Sequence, residues 1–528
     1  MSATAPVEEP TLPEPPPAPH PAPARSWGAR FGHPPRGPLL MGLTAAVMLV
    51  IGGFGAGGVL VRDPLMTDSS VGFWRYGHGH DLAAFLVYAG VALMVWSWIR
   101  LGRDVLAQRI DSRAVLTTAL VWMVPMLFAP PLFTRDIFSY LAQGALPLNG
   151  LDPYAVGPEA MPGILSDNVH YFWQDTPAPY GPLFILIAKG IAWLIGNNII
   201  LGVILMRLAL LPGLVLLIWA LPELTRRLGG RVPVAMWIAV ANPMMVITMI
   251  GGGHNDLLVV GLLAIGFLVA LRAGEGLRGG HVWGIALVTL AMAVKASAGV
   301  ALPFLVLIWA AHMTGSRTVR IAKAAAAGIA VFAVVFALCT VVAGVDLGWL
   351  PALSAPSMIV NWMSIPTAAG QIVGGILSLF GASYQLFINI FRGIGIAVLL
   401  VLAARQWWAA RDGGPDAVRR AGIVLFAVSV LSPATLPWYV SWGMALLAMT
   451  AWTARGLQYM VFASLMLIVV YYPNGEDGLY NWGYLAACAA VAVLAAVSLL
   501  REDPLRLRPG ARQPPRTRPA VRVEQRTS

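Results

Sequence analysis

The sequence predicts an all-α polytopic membrane protein, a bundle of about fourteen transmembrane helices with a large polar loop after the third. Three observations predict it. Of 528 residues, 58% are hydrophobic and only 11% are charged, against roughly 25% charged in soluble domains. Apolar runs of about twenty residues recur along most of the chain, the length a helix needs to cross the hydrocarbon core. The short alternating segments of a β-barrel do not occur.

Residues 1–38 are rich in Pro, with scattered Glu and Arg. Such a stretch cannot bury enough apolar surface to fold, and it reads as a disordered cytoplasmic tail. The first apolar run begins at Leu39. It is too long for a signal-peptide core and reads as an uncleaved anchor.

Between 39 and 500 the chain reads as one transmembrane catalytic domain. Spans are expected near 39–62, 82–99, 114–131, 199–222, 232–250, 255–272, 281–297, 298–313, 320–343, 386–403, 421–433, 438–454, 456–472 and 483–500. The apolar stretch 181–196 would break the charge alternation if it crossed, so it reads as a re-entrant or interfacial helix. Cys339 and Cys488 lie inside apolar runs and imply neither a disulfide nor a metal site.

Residues 501–528 form a second tail. Arg501, Arg506, Arg508, Arg512 and the arginines after them make it strongly basic, within a chain of +11 net charge. A charge block with no interleaved aromatics reads as a disordered cytoplasmic tail against anionic membrane lipids, and no nucleic-acid partner is expected.

Bases in short loops set the orientation. Arg100, Arg103, Arg109 and Arg113 mark one inner loop. Arg226, Arg227 and Arg231 mark the next. Arg317, Arg320 and Lys323, then Arg405, Arg411, Arg419 and Arg420, mark two more. The base-poor segments 63–81, 132–180, 251–256, 344–385 and 473–482 are expected to face outward, in the periplasmic space across a plasma membrane.

The candidate chemistry falls on that outward side. Leu132-Phe133-Thr134-Arg135-Asp136 follows the third span, and the same loop carries Tyr140, Asp152-Pro153-Tyr154 and Pro179-Tyr180-Gly181-Pro182. Gly251-Gly252-Gly253-His254-Asn255-Asp256 closes the 232–250 span. Lys295 sits in Val294-Lys295-Ala296-Ser297, at an outer turn, and Pro437-Trp438-Tyr439 lies at another. Polar clusters gathered on one membrane face point to one site.

Each cluster has a plainer reading. Asp136 beside Arg135 could be an exposed ion pair worth little, whereas a sugar hydroxyl needs a carboxylate base within reach. The glycines of 251–253 make a turn but leave His254, Asn255 and Asp256 unexplained. Lys295 could snorkel, although charges inside the membrane are functional by default. Arg207, mid-span, and Arg392 could each hold a lipid phosphate or pair with a carboxylate. Trp438 and Tyr439 could belong to an aromatic belt or stack on a sugar.

Phe133-Thr134-Arg135-Asp136-Ile137-Phe138-Ser139-Tyr140, Asp152-Pro153-Tyr154, Tyr180-Gly181-Pro182 and Gly253-His254-Asn255-Asp256 resemble the polyprenol-phosphomannose-dependent α-1,6-mannosyltransferases of actinobacteria. These belong to the GT-C glycosyltransferase superfamily, and the likeness covers about residues 39–500. It implies a GT-C-type bundle, a polyprenyl-phosphate mannose donor and a lipid-anchored α-1,6-mannan acceptor, as in lipomannan and lipoarabinomannan assembly.

The residues suit that chemistry. Asp136, beside Arg135, would take the acceptor proton. Lys295, His254 or Arg207 would hold the donor phosphate and steady its departure. Tyr140, Asp152, Tyr154, Tyr180, Asn255, Asp256, Trp438 and Tyr439 would contact substrate, with Phe172 and Trp173 also placed for sugar stacking. A β-linked donor giving an α product inverts, so one displacement with one base suffices. Asp136 and Asp256 are also hard-oxygen ligands suited to Mg²⁺ or Mn²⁺. The rival class, a secondary transporter or lipid-linked sugar flippase, predicts inverted repeats and broken helices at the midplane, and no repeat is visible.

Overall fold

The computed structural model describes residues 33–505 apart from 64, 65, 67, 68 and 503. The two expected tails therefore lie almost wholly outside the described residues. The described chain is helical, with no strands among its residues.

Seven helices are long and apolar enough to cross a membrane: Arg36–Ala56, Gly77–Leu106, Ile199–Arg227, Asp256–Ala273, Arg317–Ala343, Tyr384–Ala409 and Trp482–Leu500. An eighth is counted if Val232–Ala239 and Met244–Gly251, bent by 47°, form one span. About fourteen crossings were expected by the apolar-run length rule. Several of those runs fold instead as shorter apolar helices: Ser112–Met126, Gly280–Val294, Ala296–Ala310 and Ala454–Val469. At 1.5 Å per residue, a fifteen-residue helix is only about 22 Å long, short of the roughly 30 Å hydrocarbon core.

Burial ranks the long helices. The best window of Asp256–Ala273 is 83% buried, whereas those of Arg317–Ala343 and Tyr384–Ala409 are 17% buried. A helix apolar all round belongs at the centre, and Asp256–Ala273 is such a helix. It packs between Ile199–Arg227 and Gly280–Val294. Asp256 therefore opens the most buried of these helices.

The polar loop after residue 131 is itself folded. Asp136–Ala145 packs along Pro182–Ile195, where Gly144 approaches the backbone of Ala188 so closely that no Cβ fits. The 181–196 stretch is thus a short helix held against protein. The expected loop 344–385 hides a further helix, Ile365–Ser378, capped by the Ser364 hydroxyl. Its three glycines and short length masked it.

The connections sort to two ends. At one end Arg231 donates to the Val105 carbonyl at 3.2 Å, Arg227 pairs with Glu275, Arg317 pairs with Asp412 and Gly229 bridges Thr450. These are the arginine-rich loops. At the other end Phe133 donates to the Pro473 carbonyl at 2.9 Å, and Asn361 donates to the Thr435 carbonyl at 2.9 Å. The glycine turn and the turn at Lys295 meet there too.

Candidate active site

Asp136 is placed by a backbone reversal. Phe133 has φ +61°, uncommon for a non-glycine residue and often a mark of a functional site. The reversal ends the third apolar segment and opens the helix Asp136–Ala145, whose first residue is Asp136. The Asp136 amide donates to Thr134 Oγ1 at 3.1 Å. Asp136, Ser139, Tyr140 and Gln143 follow the i, i+3, i+4, i+7 spacing of one helix face, and all four are buried.

The glycine turn explains its glycines. Met244–Gly251 is a π-helix, a rare form that is frequently found at functional sites. A Cβ on Gly252 would strike Thr134, and one on Gly253 would strike Ile137. Gly253 also has φ +71°, which suits only glycine readily. The turn thus lies directly on the start of the Asp136 helix. It brings His254 Nδ1 to 3.7 Å from Asp136 Oδ2. The imidazole stacks on Trp438 with ring centroids 3.9 Å apart.

Arg207 locks this turn. Its guanidinium donates to the carbonyls of Leu127, Ala129 and Gly251. That ties the end of the third apolar segment to the glycines.

Lys295 stands in extended backbone between Gly280–Val294 and Ala296–Ala310. Its ammonium lies 2.9 and 3.0 Å from the two carboxylate oxygens of Asp256. It also lies 4.5 Å from the Tyr439 ring centroid and 5.4 Å from that of Trp442. The Trp442 indole donates to the same carboxylate. A buried pair held this way has its charges and its hydrogen bonds satisfied together.

Two cavities meet at Asp136. One, about 250 Å³, is lined by Lys295, Ser297, Tyr180, Tyr439 and Trp442. The other, about 90 Å³, is lined by Arg135, His170, Tyr171, Phe172, Asn361 and Asp477. Asp136, Trp173, Leu436 and Trp438 line both. Burial pushes the Asp136 carboxyl up to about 7, with Asp256 adding to the rise and Lys295 opposing it. Burial, and then the Lys295 charge, holds His254 well below its ordinary value, so the ring is neutral.

The expected residues divide accordingly. Asp136, Arg135, Lys295, Tyr180, Trp438 and Tyr439 line the cavities. Arg135 turns to the Asn168 carbonyl at 3.0 Å and over the Phe138 ring. His254, Asn255, Asp256 and Tyr140 form a fully buried layer, in which Tyr140 packs edge-on against Tyr180 and Phe184. Arg207 lines neither cavity. Asp152 and Tyr154 also stand apart. The Asp152 carboxylate accepts from the Tyr154 amide at 2.9 Å, an Asx turn, and Tyr154 packs with Ala178, Ile185 and Trp349 in a separate apolar cluster.

Trp442 and Asn361 went unnoticed in the sequence. Trp442 follows Trp438 by four residues, a helical repeat that was available as a signal. Asn361 is a lone amide among Ile359, Val360 and Trp362, and nothing local marks it out.

A divalent cation needs several oxygen ligands. Asp256 is engaged by Lys295 and Trp442, and no three His, Cys, Asp or Glu side chains gather for a metal among the described residues. Among the described residues, the side chains around Asp136 and Asp256 do not gather such a ligand set.

Residues 39–311 match the family described as alpha-(1->6)-mannopyranosyltransferase, N-terminal domain. Residues 366–501 match the MptB C-terminal domain. The chain is 41% identical over 473 residues to alpha-(1->6)-mannopyranosyltransferase A of Mycobacterium tuberculosis, covering 89% of this chain and 90% of that protein. It is 30% identical to alpha-(1->6)-mannopyranosyltransferase A of Corynebacterium glutamicum, covering 87% and 97%. It is 30% identical to alpha-(1->6)-mannopyranosyltransferase B of the same organism, covering 79% and 73%. No solved structure matches.

Proposed function

The chain belongs to the alpha-(1->6)-mannopyranosyltransferase family, and from that premise we propose that it moves mannose from a polyprenyl-phosphate donor to an α-1,6-mannan chain on a lipid anchor, inverting the anomeric centre with Asp136 as base. The meeting of two cavities at one carboxylate carries the reading. Only the larger cavity holds Lys295, and the smaller is rich in aromatic rings. The donor takes the first and the acceptor the second.

In the larger cavity the phosphate faces the Lys295 ammonium and the Ser297 hydroxyl, which is buried with no partner in the protein. The helical segment Ala296–Ala310 begins there, and helix N-termini favour anions. Asp256 fixes the ammonium in place. As the acceptor oxygen bonds to the anomeric carbon, the bond from that carbon to the phosphate oxygen breaks. Polyprenyl phosphate leaves with the electron pair, and the hydroxyl proton passes to Asp136. Neutral His254, stacked on Trp438, stands beside the carboxylate with Nδ1 3.7 Å from Oδ2. No second nucleophilic carboxylate is required. Arg207 serves as a structural staple of the turn, not as a phosphate ligand, because its guanidinium is already engaged by three carbonyls.

The membrane is the plasma membrane, in a GT-C-type bundle with the site on the extracytoplasmic face. Support comes from the arginine-rich loops at the opposite end, which favour the cytoplasm. The test is to give membranes containing the protein labelled polyprenyl-phosphate mannose and a short α-1,6-mannoside. A new terminal α-1,6-mannose is expected. Transfer from a sugar nucleotide alone, or none at all, would sink the proposal.

A further inference from the structure

The mouth of the smaller cavity carries an unexplained shelf of aromatic rings. Tyr171 is 60% exposed and Phe172 is 40% exposed. With His170 they form a compact stack. The His170 and Tyr171 centroids are 4.4 Å apart, those of Tyr171 and Phe172 4.7 Å, and the His170 and Phe172 planes differ by only 6°. The shelf is fixed from below. The Phe172 amide donates to His170 Nδ1 at 3.3 Å, and His170 Nε2 lies 3.7 Å from Glu476. Rings held in place before binding lose little entropy when a ligand arrives.

The surroundings say what would lie on it. The three residues line the same cavity as Asp136, so the surface is continuous with the reacting centre. The nearby charges are mostly acidic, with Glu476 beside His170 and Asp477 in the wall. Arg135 is turned to a backbone carbonyl. An anionic lipid headgroup is therefore disfavoured, and a neutral polyol with apolar C–H faces fits aromatic rings. Deeper in the cavity, Asn361 is buried and its Oδ1 has no partner in the protein. That oxygen accepts a hydroxyl.

On the reading of this site as a mannosyltransferase, we infer that His170, Tyr171 and Phe172 form a subsite for acceptor sugars beyond the one that reacts, so that the enzyme selects oligosaccharide acceptors over single-sugar glycosides. Asn361 orients the sugar nearest Asp136, and the shelf takes the units behind it.

The experiment uses the purified full chain in liposomes, labelled polyprenyl-phosphate mannose, and octyl α-1,6-mannosides of one to four units. Wild-type kcat/KM should rise about tenfold from one unit to three, the size of effect typical of one good contact residue. Tyr171→Ala and Phe172→Ala should flatten that rise to about twofold, and Tyr171→Phe should restore it. A gradient that survives both alanine variants overturns the inference. So does an equal loss on every acceptor, as a membrane anchor or a folding role would give. Wild-type transfer without a length gradient removes the shelf and leaves the transferase reading standing. Wild-type failure on every mannoside removes both.

Discussion

Oδ2 of Asp136 lies 3.7 Å from Nδ1 of His254, and the imidazole is pinned on its other side by the Trp438 ring. The histidine is fully buried and neutral. In the proposed reaction it therefore does not compete with Asp136 for the acceptor proton. A charged histidine there would lower the carboxylate's basicity.

That relationship fixes a pH dependence. The Asp136 carboxyl titrates at about 7, and a base acts only when ionised. kcat/KM should rise as pH increases through about 7 and then level off. Lys295 holds the carboxyl lower than burial alone would, so Lys295→Met should move the limb to higher pH. The pH profile of kcat/KM for both proteins checks this. A limb near pH 4 would mean that Asp136 is solvated and ordinary.

Lys295→Met should also weaken donor use by about 1.5–3 kcal/mol, the value of a charge-assisted contact to phosphate. It leaves Asp256 buried without its cation, and breaking such a pair is strongly destabilising. The double variant Lys295→Met/Asp256→Asn should recover folding but not donor affinity. Apparent donor affinity and thermal unfolding, measured on single and double variants, separate the two effects. Donor affinity restored in the double variant would show that Lys295 matters only as a partner of Asp256.

Arg207→Met should act differently. It strips three carbonyls of their donor, and each buried group left unpaired costs about 1–3 kcal/mol. Thermal stability should fall sharply, while the surviving enzyme keeps its apparent donor affinity. A tenfold weaker donor affinity in a stably folded Arg207→Met enzyme would place the phosphate deeper than Lys295.

Topology is open to direct test. A cysteine at position 160 should react with an impermeant thiol reagent on intact cells, and one at position 108 should not, because loop arginines favour the cytoplasm. The reverse pattern would move the site to the cytoplasmic face.

Much of this was legible in the sequence because hydropathy and charge act locally. The long helices announce themselves by composition. The Arg-Asp and His-Asn-Asp elements stand out because polar groups are costly near a membrane. What the chain could not disclose is partnership. Arg207 and Lys295 look alike as lone cations in apolar runs, yet one meets three carbonyls and the other a carboxylate and two rings. Asp152-Pro153-Tyr154 reads as a polar cluster but folds as a turn over a separate core. Asn361 and Trp442 come from segments more than a hundred residues from Asp136, and only tertiary packing brings them in. The crossing count was less legible, because an apolar run of fifteen residues looks the same whether it spans or only packs.

The most direct test of the central claim compares turnover, donor binding and stability in Asp136→Asn. Turnover should fall by about two to four orders of magnitude, the range for losing a general base, while polyprenyl-phosphate mannose still binds. Folding should not suffer. A carboxyl raised from about 4 when unfolded to about 7 when folded costs stability progressively as pH rises through that window. Asn removes that cost, so the variant should unfold at a higher temperature than wild type above pH 7, with the gap closing toward pH 4. Near-normal turnover in the folded variant would contradict the assignment of Asp136 as the base.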